Sequence, residues 1–379
     1  MKRNFVIIGA GLSGCAIARL LADRGHAVRL LEQEMEIGGL CRTRISPNGF
    51  KYEPFGARTF HTRNPQVRQF VTRFGAFNHY VHRKGIVIGG RLWPFPLTPA
   101  ALDALPEGAQ IRSELARRPG TADMTNFETV CLSVFGPTLY RMFIANYTTR
   151  MWGTEPRTLT AEWAPRRLEL GTEADNLLFK NQWQGLPEEG YSALLARMIN
   201  GIPLSLQVAA PAESARDADV IVSTAPLDLM FGCRFGRLPY RSLRFEHRPD
   251  EPWPHPHYGT INLPEDPRFV RRCNFKILYQ RADQPGNWIQ YQEPREADDQ
   301  HAPMYPVQTP ASEEQFACYL DLACRSRNLC PLGRLGLFKY LDMDAAVALA
   351  FRMVPLIEAY RDLDPAERCR QLTALRNQA

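Results

Sequence analysis

The chain has 379 residues, a formal net charge of +6 at pH 7 and 45% hydrophobic residues, which is typical of a globular protein with two or three lobes. No apolar run approaches the ~20 residues of a membrane-spanning helix, and no nucleic-acid-binding module is recognisable. Nine cysteines without metal-ligand spacing predict reduced thiols, no metal site and a cytoplasmic protein. The excess of arginine fits either scattered surface charges or a site for a diphosphate ligand.

The beginning of the chain predicts a strand, a tight turn and a helix. Residues 5–8 are consecutive apolar residues, too few for a helix, and indicate a buried parallel strand, so that we expect no signal peptide before it. Gly9, Gly11 and Gly14 follow at G-x-G-x-x-G spacing. They allow the turn, the approach of a pyrophosphate to the backbone, and close packing of the next helix. That helix is predicted over 15–24, with its N-terminal N–H groups towards the phosphate.

A second strand, predicted over 26–31, ends at Glu32, where an acidic residue accepts hydrogen bonds from ribose hydroxyls. Strand, glycines, helix, strand and acid in this order predict a dinucleotide site. A second glycine pair, Gly38 and Gly39, would alone indicate an ordinary loop. Its position just beyond the acid favours a flavin dinucleotide over a nicotinamide one, and the turn at 56–62 is rich in groups able to reach a flavin ring.

The middle of the chain predicts a hairpin followed by a helical region. Residues 85–95 alternate like two strands around a glycine pair. From 97 to about 163 the pattern is helical, with helices over 127–135 and 139–149. The second helix carries an aromatic stripe, which could belong to the core or to a ligand platform: Tyr140, Phe143 and Tyr147.

The second half predicts a return to the first sheet. A helix is expected over 191–199 and a strand at Val208, and the apolar run at 219–226 is typical of a later strand of the dinucleotide sheet. Short strands between 240 and 305 indicate an antiparallel sheet. Helices are then expected over 312–325 and from 344 into the 350s, and the charged residues from 362 onward should be loosely held.

The segment 146–153 (NYTTRMWG) resembles the G-Y-T-x-K-Q-W-G signature of the UDP-galactopyranose mutases. Further landmarks of that family occur in its order and near its spacing: Gln184-Gly185-Leu186-Pro187, Gly190-Tyr191, Tyr240-Arg241-Ser242-Leu243, Tyr305-Pro306 and Lys339-Tyr340-Leu341-Asp342-Met343. The resemblance extends from residue 3 to about 356, nearly the whole chain.

The resemblance implies an α/β fold with a discontinuous Rossmann-type FAD-binding domain, an inserted helical domain and an antiparallel β-sheet domain. The expected boundaries are 1–80, 190–238 and 312–379 for the FAD-binding domain, 97–165 for the helical domain, and 81–96, 166–189 and 239–311 for the substrate domain. A mobile loop near 166–184 would close on the substrate, and the protein would form a homodimer.

The resemblance also implies a reaction. In that family N5 of the reduced flavin attacks the anomeric carbon and displaces the nucleoside diphosphate, after which the sugar opens and recloses as a furanose. The chain is therefore expected to be an isomerase: a FAD-dependent mutase that interconverts the pyranose and furanose forms of a UDP-hexose such as UDP-galactose.

Site residues are transferred to this chain by position. The residues expected at the substrate are Phe143, Tyr147, Thr148, Trp152, Arg166, Asn262, Arg272, Tyr305, Tyr340 and Asp342. Tyr147 would stack on the uracil, and Arg166 and Arg272 would bind the diphosphate and act in catalysis, with Arg167 and Arg271 as the alternatives. The residues expected at FAD are Gly9, Gly11, Ser13, Gly14, Glu32, Gly38, Gly39, Leu40, Arg58, Thr59, Val208, Thr224, Arg334, Asp342 and Met343.

Two positions depart from the family pattern. The motif G-A-H-x-F-H-T is here GARTFHT, so that Arg58 replaces a histidine expected beside the flavin, and Leu178 replaces a tyrosine near the nucleotide. A permanent cation at Arg58 would favour an anionic reduced flavin and takes part in catalysis on this interpretation, or it would block the sugar or bind a further anion. Two alternatives therefore stay open: a flavin oxidoreductase acting on a nucleotide sugar, and a non-catalytic nucleotide-sugar-binding protein.

Overall fold

The structure is a computed structural model that describes residues 2–161, 170, 177–180, 182–209, 215 and 217–378. The strands are β1 (Asn4–Ile8), β2 (Ala27–Leu31), β3 (Arg44–Ile45), β4 (Lys51–Tyr52), β5 (Phe60–Thr62), β6 (Lys84–Ile88), β7 (Arg91–Phe95), β8 (Trp183–Gly185), β9 (Leu204–Ser205), β10 (Val220–Ser223), β11 (Tyr240–Pro249), β12 (Thr260–Asn262), β13 (Arg271–Asn274), β14 (Trp288–Glu296), β15 (Tyr305–Pro306) and β16 (Leu329–Pro331). The α-helices are α1 (Leu12–Asp23), α2 (Pro65–Thr72), α3 (Pro99–Asp103), α4 (Gly108–Ala116), α5 (Phe127–Leu139), α6 (Asn146–Trp152), α7 (Tyr191–Met198), α8 (Leu227–Met230), α9 (Phe275–Leu278), α10 (Pro310–Arg325), α11 (Gly333–Gly336), α12 (Met343–Ala359) and α13 (Pro365–Asn377).

The first of the two large sheets is parallel, and its central strand is β1. The described residues place five strands in the order β16-β10-β1-β2-β9, with parallel pairing throughout. Phe5 lies opposite Val28 on one side and Val220 on the other, which confirms the discontinuous Rossmann-type sheet predicted from the apolar runs. The predicted strand at Val208 is instead the short β9, although the Val208 amide still donates to the Glu32 carbonyl at 2.9 Å.

A second, larger sheet carries the substrate side of the molecule. Among the described residues its order is β15-β11-β14-β13-β12-β6-β7. The predicted hairpin β6–β7 is confirmed, with Ile88 opposite Arg91 across the glycine pair. The strands between 240 and 305 pair antiparallel as predicted, whereas β6 from the hairpin pairs with β12 in parallel. The connection from β6 to β12 is long, as a parallel pair requires, and it contains β7, the helical region and β8 to β11.

The helical region consists of α3 to α6 and is continuous with the second sheet through a shared apolar core. The predicted helix over 127–135 is longer, because α5 continues to Leu139 past a kink at Gly136, which has φ +75°. Residues Tyr140–Ala145 then form a π-helical turn before α6. This rare geometry shifts the helix face, and it is often found at functional sites.

The C-terminal residues correct one prediction. The chain from 362 onward is not loosely held, because it forms α13, capped by the Asp364 side chain, with Arg368, Leu372 and Arg376 buried. Arg376 donates to the Leu337 carbonyl at 2.8 Å and lies against the Phe316 ring at 4.6 Å. Arginines that look like solvated charges in the sequence therefore satisfy buried carbonyls here.

The described ranges contain neither a membrane-spanning helix nor a cluster of metal-binding side chains. No helix in them is both long and apolar enough to cross a membrane. No group of three or more His, Cys, Asp or Glu side chains in that part of the chain is arranged to hold a metal ion. The domain boundaries given above stay a prediction.

The turn between β1 and α1 allows no side chain at Gly14. A Cβ there would lie 1.9 Å from the Gly9 carbonyl oxygen, a backbone atom that cannot move aside. We expect Gly14→Ala to lower the free energy of unfolding by about 1–3 kcal/mol or more, as overpacking does, and to reduce the retained cofactor. The measurement is thermal unfolding together with visible absorbance. Gly120→Ala is the matched control, since a Cβ at Gly120 meets nothing within 4 Å. Equal unfolding of the two variants would contradict the close packing.

Candidate active site

Two glycine turns meet at the start of α1. Gly11 pairs with Gly38 in an isolated bridge, and the Gly38 amide donates to the Ala10 carbonyl at 2.9 Å. A Cβ on Gly39 would lie 3.3 Å from the Gly11 Cα, and Gly38 and Gly39 have φ values of +110° and +51°. Gly11 is the N-cap residue of α1, and no side chain among the described residues caps this end of the helix. Its first N–H groups can therefore bind an anion such as a pyrophosphate.

Glu32 is held at the end of β2. Its side chain is buried and accepts hydrogen bonds from the Ala10 amide at 2.7 Å and from the Glu34 amide at 3.0 Å. A carboxylate has about four lone-pair sites, so that it can also accept bonds from ribose hydroxyls. The position and fixation of Glu32 fit the predicted role.

The return of the chain adds the remaining residues predicted at the cofactor. The Thr224 hydroxyl donates to the Ile8 carbonyl at 3.0 Å, and a Cβ on Gly333 would lie 2.9 Å from the Ser13 hydroxyl. The Met343 sulfur lies 3.8 Å from the sulfur of Cys41, the residue that follows Leu40 in the chain. These turns form a cradle that β-carbons would fill, and this close backbone packing fits a dinucleotide.

A cavity of about 610 Å³ lies where the second sheet, the helical region and the start of α12 meet. Its volume is typical of small-molecule sites. It brings together these residues predicted at the substrate: Phe143, Tyr147, Thr148, Trp152, Asn262, Tyr305, Tyr340 and Asp342. Leu178, the second departure from the family pattern, also lines it. Arg166 and Arg167 lie outside the described residues.

Arg271 is the arginine that β13 presents to the cavity. Its Nε donates to the Asn262 Oδ1 at 3.2 Å, and its Nη2 donates to the Tyr147 hydroxyl at 2.5 Å. Burial opposes the charge of Arg271, but Tyr147, Tyr305 and Tyr340 nearby offset this, and the net direction of its pKa is upward. The cavity therefore contains a half-buried guanidinium that is held by hydrogen bonds and has aromatic neighbours.

Arg272 lies on the opposite face of the sheet. Its guanidinium stacks 4.9 Å from the Trp253 ring and lies 3.9 Å from a Glu251 carboxylate oxygen, and it does not line the cavity. Successive residues of a strand point to opposite faces. Asn262 lies opposite Arg271 in the register, on the same face. The structure thus replaces Arg272, which the sequence favoured, by its alternative Arg271.

A tyrosine pair forms another wall of the cavity. The rings of Tyr305 and Tyr340 are nearly parallel, 9° apart with centroids at 5.9 Å, and Trp152 packs edge-on against both at 6.1 Å. The Arg334 guanidinium lies 5.3 Å and 5.0 Å from the two ring centroids and donates to the Leu341 carbonyl. Arg334 therefore stabilises the tyrosine pair by contacting both rings.

The aromatic stripe of the helical region divides between two roles. Phe143 and Tyr147 line the cavity, whereas Tyr140 is buried among the core residues. Tyr140 and Phe143 both lie in the π-helical turn, and Tyr147 follows it in α6. The wider turn moves the side chains that follow it round the helix axis. The simple helical spacing did not distinguish these roles.

Several cavity residues were not singled out in the sequence. They include Lys84, Phe95, Phe179 and Asp344. Lys84 and Phe95 pair across the hairpin, and the Lys84 ammonium lies 5.7 Å from the Phe95 ring. The hairpin pattern carried this signal, since opposed residues share one face.

Histidines at the same end of the cavity are neutral or stacked. The His61 ring stacks on Phe179 with centroids at 3.6 Å. Burial, with the charges of Lys84 and Arg271, lowers the pKa of His82 to about 3, so that it is neutral at pH 7. The Thr59 hydroxyl lies 3.4 Å from the His82 Nδ1. His82 therefore contributes no positive charge beside Lys84 and Arg271.

Arg58 lies behind the cavity wall and does not line it. Its Nη1 donates to the carbonyls of Phe55 and Gly56, each at 2.6 Å. Its Nη2 is buried and has no hydrogen-bond partner among the described residues. An arginine is thus present where the family pattern has histidine, with one donor unused.

The chain is similar over nearly its whole length to proteins that are named as nucleotide-sugar mutases. It is 28% identical over 364 residues to a probable UDP-galactopyranose mutase of Klebsiella pneumoniae, covering 93% of this chain and 94% of that protein. It is 29% identical over 377 residues to the UDP-galactopyranose mutase of Mycoplasma pneumoniae, covering 92% and 94%. It is 27% identical over 371 residues to a dTDP-fucopyranose mutase of Escherichia coli, covering 93% and 97%.

The fold gives the same result. The crystal structure of a reduced UDP-galactopyranose mutase superposes with a TM-score of 0.75 at 18% identity, covering 97% of this chain and 99% of that one. A family profile described as NAD(P)-binding Rossmann-like domain matches residues 7–74. A second profile, described as UDP-galactopyranose mutase, matches residues 142–340, more than half of the chain. The chain belongs to the UDP-galactopyranose mutase family.

Proposed function

We propose that this chain interconverts the pyranose and furanose forms of a UDP-hexose, with FAD as cofactor and UDP-galactose as the first candidate substrate. The observation that carries the proposal is one juxtaposition. A half-buried arginine, Arg271, faces an aromatic cavity that is also lined by Asp342 and by Asp344, at the start of α12. A nucleotide sugar can thus meet a dinucleotide cofactor end to end.

Arg271 is proposed as the cation for the diphosphate. Its guanidinium is oriented by Asn262 and Tyr147, so that little side-chain entropy is lost on binding. Charge-assisted hydrogen bonds to phosphate are roughly twice as strong as neutral ones. The same charge stabilises the diphosphate as it leaves the sugar.

The aromatic walls would bind the remainder of the nucleotide. Phe143 and Tyr147 offer flat faces for the base, and base stacking on an aromatic ring contributes about 1–3 kcal/mol. The hydroxyls of Tyr305 and Tyr340 would donate to diphosphate oxygens on the other side of Arg271. The walls exclude water, which strengthens the charge interactions inside.

FAD would lie in the cradle, with its pyrophosphate at the start of α1 and a ribose on Glu32. When bound and reduced, FAD would supply a nucleophile for the anomeric carbon, with the diphosphate as the leaving group, and it would be regenerated at the end of the reaction. The residues of the chain bind and orient the two ligands. The homodimer and the cytoplasmic location implied by the resemblance stay predictions.

The first prediction concerns the reaction itself. We expect the FAD-loaded protein, reduced with dithionite, to convert UDP-galactofuranose into the pyranose, as followed by chromatography of the sugar nucleotides. The oxidised protein is the control and should be inactive. A dTDP-fucofuranose assay under the same conditions tests the other sugar nucleotide named among the relatives. Net consumption of reductant with substrate would contradict a mutase and favour an oxidoreductase.

The neighbouring arginines provide a matched pair of variants. Arg271→Met removes the cation that Asn262 and Tyr147 orient in the cavity and should weaken UDP binding by about 1.5–3 kcal/mol, more than tenfold in Kd. Arg272→Met removes the cation on the other face and should leave Kd unchanged. Isothermal titration with UDP measures both. Weaker binding in Arg272→Met alone would reverse the assignment.

Tyr147 combines a ring face and a hydroxyl, which two substitutions separate. Tyr147→Ala removes the face and should cost about 1–3 kcal/mol of UDP affinity. Tyr147→Phe keeps the face and loses the hydrogen bond to Arg271, for a cost of about 0.5–1.5 kcal/mol. The same titration measures both, with uridine as a ligand that lacks phosphate. An unchanged uridine affinity in Tyr147→Ala would remove Tyr147 from the base site.

A further inference from the structure

Glu53 is a fully buried acid that the proposed reaction does not use. It follows β4 and is 0% exposed. Its Oε1 accepts hydrogen bonds from the Tyr279 hydroxyl and, at 3.5 Å, from the Thr43 hydroxyl. Its Oε2 has no partner in the described part of the chain. Glutamate is almost never fully buried unless it is paired, so this placement requires an explanation.

The turn that carries Arg58 is built around Glu53. The Gly56 amide donates to the Glu53 carbonyl at 3.1 Å, and Gly56 has φ +98°. The Tyr191 hydroxyl donates to the Arg58 carbonyl at 2.9 Å. Burial raises the pKa of Glu53 to about 7, and the bond from Tyr279 and the charge of Arg58 oppose this rise. A cation and an acid that titrates near neutrality therefore lie in one turn, in which Glu53 is buried and Arg58 is half-buried.

Arg58 acts on the inner end of the cradle. Cys41, which ends the turn of Gly38 and Gly39, is within range of the charges of both Arg58 and Arg334. Its sulfur contacts Met343 at the start of α12. The charge of Arg58 thus reaches Cys41, which lies between the second glycine turn and the start of α12.

We propose that Arg58 and Glu53 form an opposed charge pair that sets the reduction potential of the bound flavin. This inference rests on the FAD site of the proposed function. Reduction of FAD to its anionic form adds two electrons and one proton, and hence one negative charge. Arg58 stabilises that charge and raises the potential, whereas ionised Glu53 lowers it, because charges interact strongly in a dry interior.

Glu53 is the group that changes charge near pH 7. The other titratable groups within its range are Tyr279, Tyr191, Cys41 and Cys273, in addition to Arg58. Burial raises the pKa of each of these phenols and thiols, so that they stay neutral between pH 6 and pH 8. The flavin should therefore become harder to reduce as Glu53 ionises.

The test is the midpoint potential of the FAD-loaded protein, titrated with dithionite against a reference dye at pH 6 and pH 8. Arg58→Met should lower the equilibrium constant for flavin reduction tenfold or more. This corresponds to a fall in midpoint potential of about 30 mV or more for a two-electron couple. Arg58→Lys keeps the charge and should remain near the unsubstituted protein. Arg272→Met, which removes a cation on the far face, is the matched control and should leave the potential unchanged.

Glu53→Gln gives the opposite sign. At pH 8 it removes a negative charge and should raise the potential, and at pH 6 the potential should change little because Glu53 is already protonated.

The stability of the flavin-free chain provides a second measurement. The pKa of about 7 in the folded state exceeds the usual 4.5. The contribution of Glu53 to stability is then complete below pH 4.5 and is lost as pH rises through 7. Melting temperature should fall over that range less in Glu53→Gln.

The outcomes separate this inference from the proposed function. Unchanged potentials in Arg58→Met, or shifts of the same sign in both variants, would overturn the charge pair even if mutase activity is normal. Opposite shifts would support it even if UDP-galactofuranose is not a substrate. A chain that binds no FAD would overturn both proposals.

Discussion

The backbone contact between two glycine turns is the constraint on which the rest of the molecule depends. Gly11 pairs with Gly38, and a Cβ on the next residue, Gly39, would lie 3.3 Å from the Gly11 Cα, so that this close approach places the open end of α1 against the second turn. Every later segment of the first sheet returns to this place. Thr224 follows β10 and Gly333 follows β16, and both end against the same cradle. The cofactor site is therefore assembled from distant parts of the chain around one contact.

The register of the second sheet has the corresponding role for the substrate side. Asn262 and Arg271 lie opposite each other on β12 and β13, so their side chains share a face and can bond directly. Helix α6 then brings Tyr147 to the same guanidinium. A shift of one residue in this register would place Arg272 in the cavity and Arg271 on Trp253. The identity of the cavity cation is thus decided by strand pairing.

The sequence predicted those parts of the structure that follow from local patterns. The apolar runs at β1 and β10 and the glycine spacing sufficed for the discontinuous parallel sheet. The aromatic stripe was ambiguous, since the π-helical turn that separates Tyr140 from Tyr147 depends on packing rather than on residue type. Arg271 and Arg272 could not be distinguished, because adjacent arginines need a known register. Glu53 gave no signal at all, since its burial depends on tertiary contacts with Thr43 and with Tyr279, the second of which is far away in sequence.

The strand order of the first sheet has a consequence for the folding of the chain. β1 pairs on one side with β2, about 20 residues later, but on the other side with β10, more than 200 residues later. β16 completes the sheet only near residue 330. Contacts so distant in sequence form slowly, because loop closure costs entropy before the contacts are gained. During synthesis the two glycine turns therefore emerge long before their later partners. The pocket for the cofactor can close only after β16 and Gly333 have been synthesised.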